Sequence, residues 1–463
     1  MYRTYKAPVD KVYPNIRIPE PRISKRVIFL IRLLGRLYLL LFFGIARIVC
    51  EGDKAFFEAF KRALAGKSRC IIAFRHPNGG EPQILTWFFL FKLKRLAAKH
   101  GVRFPRHPHA VFVYGYEVVR WGGGIARYVM PNLGAMPIHH SKIDRQGMGR
   151  IFNAITEGPY PLALAPEGQV SYSTDVVPRL EPGTIRIGFG AAERLAKSNP
   201  GCSVEVLPVA VYFRFGPIGK FAMERLLKKI EKLCGLYKRG RDKLPFAERV
   251  RQCRDHILEL NEAHYQIKSD ASLSFEERIE KVVNAALETA ERMIGVKSDE
   301  DHFVRLYRIR QYCWDKIFHP ELEDLNGMSR VERSIRDLQA GEAWYISRHQ
   351  EIADFCWYFR IPLPSEDAAI HNKIEYVQNL WDFANRSMGG AYNDRVSIYA
   401  RKVIIQTAPV INLSERLPAY HEDKEAAINT AMSDLEKAYQ DCIDESNRVK
   451  DFTSPQTVRH PVK

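Results

Sequence analysis

The chain has no C-x-x-C pair. Its eight cysteines, Cys50, Cys70, Cys202, Cys234, Cys253, Cys313, Cys356 and Cys442, are scattered along the sequence. That scatter argues against a zinc site or a disulfide framework and favours a reducing compartment. No metal is expected elsewhere either. His107, His109, His139 and His140 are near one another, but no carboxylate or cysteine pattern completes a ligand set. A G-x-S-x-G nucleophile elbow is missing. Gly122-Gly123-Gly124 lacks the spacing of a nucleotide loop and reads as a turn before a helix. No nucleic-acid motif is present, so a nucleic-acid partner is not expected. A cleavable signal peptide is not expected, because the first apolar run follows a basic, proline-containing stretch and no A-x-A site comes after it.

At 463 residues with 46% hydrophobic content, the chain suits one large globular domain or two. Acidic side chains are in deficit, 54 against 70 lysines and arginines. Residues 1–70 carry fifteen Lys/Arg and five Asp/Glu, so +10 of the net +16 lies there. Such a patch attracts phosphate-rich partners, and an anionic membrane surface is the expected one.

Within that basic segment, Val27–Val49 reads VIFLIRLLGRLYLLLFFGIARIV. It is long enough to span a bilayer, but Arg32 and Arg36 interrupt it. On a continuous helix Arg32, Arg36 and Arg47 would fall within a sector of roughly 60°. One charged stripe on an apolar helix suits an anchor lying in the membrane plane. A spanning helix would have to bury or snorkel those arginines at about 2.5–3.5 kcal/mol each if central. The expected location is therefore the cytoplasmic face of a membrane, peripheral or monotopic, with a shallow span as the second reading. A further apolar run, Ile84–Leu93, reads either as core packing or as the lining of a lipid entry path.

The stretch RCIIAFRHPNGGEPQIL (Arg69–Leu85) carries the candidate chemistry. Cys70–Phe74 reads as a buried strand. Pro77-Asn78-Gly79-Gly80 is turn chemistry. Glu81-Pro82 opens a helix, with an acid at the positive end of the dipole and a proline in the first turn. His76 thus leaves the end of a strand, and the turn can bring Glu81 within hydrogen-bond reach. A carboxylate on one imidazole nitrogen fixes the tautomer and leaves the other nitrogen to take a proton from an alcohol. Taken alone, the spacing favours a polar turn with a helix cap, because a histidine and an acid five apart occur often by chance.

Three later blocks add weight: Gly134-Ala135-Met136-Pro137-Ile138, Pro166-Glu167-Gly168 at the end of a strand-like run, and Leu207-Pro208-Val209-Ala210. With His76-x4-Glu81 they stand in the order that resembles the glycerolipid acyltransferase family. The resemblance implies an α/β fold with a mixed sheet flanked by helices. It implies acyl transfer from an acyl thioester, acyl-CoA or an acyl carrier protein, to a hydroxyl of a glycerolipid such as lysophosphatidic acid. His76 would be the general base and Glu81 its orienting acid. Glu167 and Gly168, with His140, Lys142 and Arg145, would seat the acceptor. No cofactor beyond the thioester co-substrate is implied, and without a covalent acyl-enzyme no nucleophile elbow is needed.

The sequence departs from the family in two blocks. Gln169-Val170-Ser171 replaces the usual Thr-Arg-Ser, and His140 stands where an arginine is thought to bind phosphate. Either Lys142, Arg145, Arg179 or Arg186 takes over that task, or the acceptor carries no phosphate. A non-catalytic membrane-binding protein on the same fold is a further alternative.

The resulting layout is a basic segment with a membrane-associated helix (1–54), a first catalytic part (55–216), a helical insertion (217–396), a second catalytic part (397–445) and a polar tail (446–463). Helical periodicity marks Phe221–Leu233, Phe275–Ile294 and His302–Phe318. Strand-like alternation returns at Arg401–Leu417, and a helix follows from Glu422 to about Ile443. The insertion carries no motif that speaks for chemistry. Oligomeric state is not legible.

Overall fold

The structure, a computed structural model, describes residues 11–14, 18–52, 54–116, 118, 122–139, 144–270, 272–296, 301–319, 325–390, 395–398 and 401–448. The strands are β1 (Tyr13–Pro14), β2 (Ile45–Cys50), β3 (Ser68–Phe74), β4 (Val111–Gly115) and β5 (Met136–Ile138). They continue as β6 (Leu162–Leu164), β7 (Ser203–Phe215), β8 (Phe318–His319), β9 (Arg401–Thr407) and β10 (Ile411–Asn412). Strands β1 and β8 form a small pair of their own. The other eight make one mixed sheet of order β2-β9-β7-β3-β6-β4-β5, with β10 also on β7.

The helices of the first half are α1 (Lys25–Phe43), α2 (Lys54–Leu64), α3 (Glu81–Phe88), α4 (Lys94–Lys99), α5 (Gly123–Asn132), α6 (Arg145–Thr156) and α7 (Gly183–Ser198). Between β7 and β9 come α8 (Pro217–Leu233), α9 (Phe246–His264), α10 (Phe275–Ile294), α11 (His302–Ile317), α12 (Arg330–Tyr358) and α13 (Ile370–Ser387). The chain then closes through α14 (Leu417–Glu422) and α15 (Lys424–Arg448). The fold is α/β, a mixed sheet flanked by helices.

Strands β7, β3, β6, β4 and β5 run parallel to one another, whereas β9 and β10 run antiparallel to β7. Central parallel strands are covered on both faces and so read as unbroken apolar runs. In β3 the period of two sends Cys70, Ile72 and Phe74 into one core and Ile71 and Ala73 into the other. Proline is rare inside a sheet because it offers no N–H to the ladder. Pro208 is tolerated in β7 because β10 pairs with residues 205–206 and β9 with residues 209–215, which leaves the position between them.

Val403–Ile405 lies in the sheet, paired with Val211–Phe213. The helical stretches read around Phe221, Phe275 and His302 are the helices α8, α10 and α11. The closing helix runs on to Arg448, and residues 449–463 lie outside the described residues.

One expectation changes. The apolar helix does not continue to Val49. It stops at Phe43, where Gly44 takes the left-handed conformation (φ 64°) and its N–H caps the carbonyls of Leu39 and Leu40. Isoleucine and valine then favour extension, and Ile45–Cys50 joins the sheet beside β9. Arg47 therefore sits on a strand and shares no helical stripe with Arg32. Arg36 turns inward, donating to the carbonyls of Ile45 (2.9 Å) and Ala46. Its guanidinium also stands 5.9 Å from the Trp87 ring centroid. Of the second apolar run, Ile84, Leu85, Phe88, Phe89, Leu90 and Leu93 are core residues.

Besides the exposed Lys25, Arg26 and Arg32, α1 presents apolar side chains: Phe29, Leu33 and Phe42 are 63–67% exposed, and Leu30, Leu34, Leu37 and Leu41 about half exposed. Among the described residues no helix is long and apolar enough to cross a membrane.

Candidate active site

In an open α/β sheet the groups that act on ligands gather where parallel strands end. Here β3 ends at Phe74, two residues before His76, and β6 ends at Leu164, two residues before Pro166-Glu167-Gly168. Strands β4 and β5 end at Gly115 and Ile138, beside Tyr116 and His139. The rings of Tyr116 and His139 stack 4.3 Å apart.

His76 and Glu81 meet as the turn chemistry predicts. Gly79 adopts φ 92°, a conformation that costs glycine little, and the chain folds back there to start α3. The Nδ1–H of His76 donates to Glu81 Oε2 at 2.7 Å, and the backbone N–H of Gly79 donates to the same oxygen at 2.8 Å. The Glu81 side chain is fully buried, while that of His76 keeps 17% of its surface. With Nδ1 committed, Nε2 has no hydrogen-bond partner among the described residues. Burial pushes the His76 pKa down, but the hydrogen bond and charge of Glu81, with the charge of Glu167, outweigh it and leave the imidazole more basic than usual.

The turn is braced from outside. A Cβ on Gly80 would lie 2.8 Å from the Phe43 ring of α1, so only glycine lets the helix end sit there. Arg401, buried at the start of β9, donates to the Phe43 carbonyl and, at 3.1 Å, to Asn78 Oδ1.

Glu167 is not open to a ligand in this arrangement. It is buried against Arg75, the neighbour of His76, in an ion pair of 2.5 Å. Arg75 also donates to the carbonyls of Ser173 (3.2 Å), Thr174 (3.2 Å) and Val176 (2.7 Å). Removing one partner of such a buried pair typically costs about 3–5 kcal/mol, since a lone charge stays behind. Arg75 was not singled out in the sequence, although a charged residue closing an apolar strand is a usable signal for a buried partner.

Gly168 has φ 70° and begins the loop that follows. Arg145 is exposed at the start of α6, and His140 and Lys142 lie outside the described residues. Arg179 and Arg186 are exposed, paired with Asp301 (2.8 Å) and Glu425 (3.1 Å). Of the four histidines noted above, His109 is buried and bonded through Nε2 to the Leu133 carbonyl (2.9 Å), and burial lowers its pKa to about 4. No group of three His, Cys, Asp or Glu able to hold a metal occurs among the described residues. Compared with known proteins, the chain matches no family model and no curated protein.

Proposed function

We propose that this chain is a membrane-associated O-acyltransferase that moves a fatty acyl group from an acyl thioester to a hydroxyl of a glycerolipid. The observation that carries the reading is the His76–Glu81 pair, with Nδ1 held at 2.7 Å and Nε2 unengaged among the described residues, at the carboxyl end of a central parallel strand. A base in this state suits one task, taking a proton from a weakly acidic hydroxyl.

The acceptor hydroxyl gives its proton to His76 Nε2 as its oxygen attacks the thioester carbonyl carbon. Glu81 stabilises the imidazolium that forms. Collapse of the tetrahedral intermediate breaks the C–S bond, and the thiolate leaves with the proton from His76. The products are an ester and a free thiol, and no acyl-enzyme is formed.

Helix α1 supports the membrane part of this proposal. Its exposed leucines and phenylalanines form an outward apolar face within a strongly basic segment. Burying one such side chain contributes about 1.5–3 kcal/mol, so a few of them in lipid suffice for docking. The cytoplasmic face, with its anionic lipid, is the surface that suits the charge. A phosphate-free acceptor is the second reading, favoured by the existing carboxylate partners of Arg179 and Arg186.

The test supplies labelled acyl-CoA or acyl carrier protein, with a panel of phosphorylated and unphosphorylated lipid acceptors, to membranes containing wild type or His76→Ala. Transfer by wild type alone is expected. Equal transfer by both proteins on every acceptor would overturn the reading. It would leave a non-catalytic membrane-binding protein.

A further inference from the structure

The loop from Gly168 to Asp175 lies against the candidate base on one side and the helices between β7 and β9 on the other. On the first side, the N–H of Ser171 donates to the His76 carbonyl at 3.0 Å. Val170 Cγ2 lies 3.7 Å from where a Cβ on Gly79 would be.

On the second side three helices reach in. From α12, Asp354 accepts from Gln169 Nε2 at 2.8 Å and is itself held by Arg310 at 3.1 Å. From α13, Asn379 Nδ2 donates to the Tyr172 carbonyl at 2.9 Å, and Glu375 accepts from the Thr174 N–H at 3.0 Å and from its hydroxyl. From α11, the Tyr307 hydroxyl stands 3.6 Å from a Cβ placed on Gly168.

The loop has a local conformation that needs such support. Tyr172 is held at φ 59°, in the left-handed region that non-glycine residues seldom enter. Its carbonyl is fixed by Asn379, and its ring lies 4.2 Å beneath the Arg395 guanidinium. Arg395 in turn donates to Asn379 Oδ1 at 3.0 Å and pairs with Asp382. A strained residue persists only where its surroundings over-determine it, and here α13 and the residues just after it supply most of those restraints.

We propose that α11–α13 are a clamp for this loop and that Asn379 is its principal positioning residue, setting the wall against which the acceptor meets His76. The proposal rests on the acyltransferase reading for its consequence, since the acceptor hydroxyl is the group that must touch Nε2. The clamp itself does not depend on that reading. Loosening it moves the wall of the acceptor site and leaves the His76–Glu81 bond alone. The signature is a split between the two substrates.

The experiment compares full-length wild type, Asn379→Ala and Glu375→Gln by hydrogen exchange and by steady-state kinetics on lipid vesicles containing the acceptor. Glu375→Gln keeps size and shape, which covers the case in which Asn379→Ala fails to fold. In either variant the amides of Ser171 and Thr174 are expected to exchange about tenfold faster, while those of α10 keep their wild-type protection. Acceptor KM is expected to rise about tenfold, with donor KM and the pH midpoint of the reaction held. Wild-type protection at Ser171 and Thr174 overturns the clamp, as does a parallel rise in both KM values. If wild type transfers no acyl group beyond His76→Ala, the acyltransferase reading fails by that result, and the exchange data still decide the clamp.

Discussion

His76 and His371 each lie within hydrogen-bond distance of a carboxylate, 2.7 Å from Glu81 and 2.9 Å from Asp175. The first pair stands at a strand end, on a glycine turn, with a nitrogen unengaged and part of the ring exposed. The second pair joins three remote stretches of chain. Asp175 lies in the loop after Pro-Glu-Gly, His371 opens α13, and Asn447, near the end of α15, adds a bond of 3.2 Å to the same carboxylate oxygen. A His–acid contact therefore does not by itself mark a catalytic pair. What sets the two apart is placement, His76 at the carboxyl end of a central strand with 17% of its side chain exposed against 6% for His371.

The widest separation between the pairs is expected in turnover. Losing a general base typically costs about 10²–10⁴ in rate, so His76→Ala should reduce kcat by that order. His371→Ala should change kcat by less than about tenfold and appear instead as lost stability of about 1–3 kcal/mol, because Asp175 is left without its main partner. A loss of rate in His371→Ala as deep as that in His76→Ala, in a protein that melts like wild type, would erase the distinction.

Glu81→Gln provides a finer test of the first pair. In the proposed role the neutral imidazole is the active form, so the rate should rise with pH through a midpoint above the usual histidine value of about 6.5. Glu81 and Glu167 hold that midpoint up against the effect of burial. Glu81→Gln should move the rising limb to lower pH and lower the plateau. A limb that stays in place would mean that Glu81 does not govern the base.

Much of this contrast could be read in the sequence, though unevenly. The His76–Glu81 turn was legible because strand, glycine turn and helix start are all local signals within seventeen residues, Arg69–Leu85. Strand β9 was legible from its alternation. The end of α1 was missed because hydropathy runs smoothly past Gly44, and only the left-handed glycine and the β-branched residues after it mark the change. Arg75–Glu167 and the contacts of α12 and α13 with Gln169–Asp175 were illegible for another reason. Partners separated by 92 to 207 positions meet only after the sheet has formed. The clamp helices announce their core-facing periodicity but not which polar residues will face a loop.

The pH dependence of stability separates the pairs by sign. His76 has its pKa raised in the folded protein, so the stability its pairing adds is fully present below about pH 6.5, the unfolded value, and fades as pH rises through the higher folded value. Asp175 goes the other way. Burial pushes its pKa up, but the hydrogen bond and charge of His371, the charge of Arg214 and the bond from Asn447 bring it below the ordinary value. Its contribution is present above about pH 4, the unfolded value, and is lost as pH falls through the folded one. Thermal melts of Asp175→Asn should therefore show a shallower loss of Tm on acidification than wild type, whereas melts of His76→Ala should depend less on pH above about 6.5. The effect is the smallest of those expected, on the order of a few degrees in Tm, yet it has the least ambiguous sign. If acidification lowers Tm equally in wild type and Asp175→Asn, the Asp175–His371 contact does not stabilise the fold as an ion pair. The loop would then be held by Glu375, Asn379 and Asp354 without it.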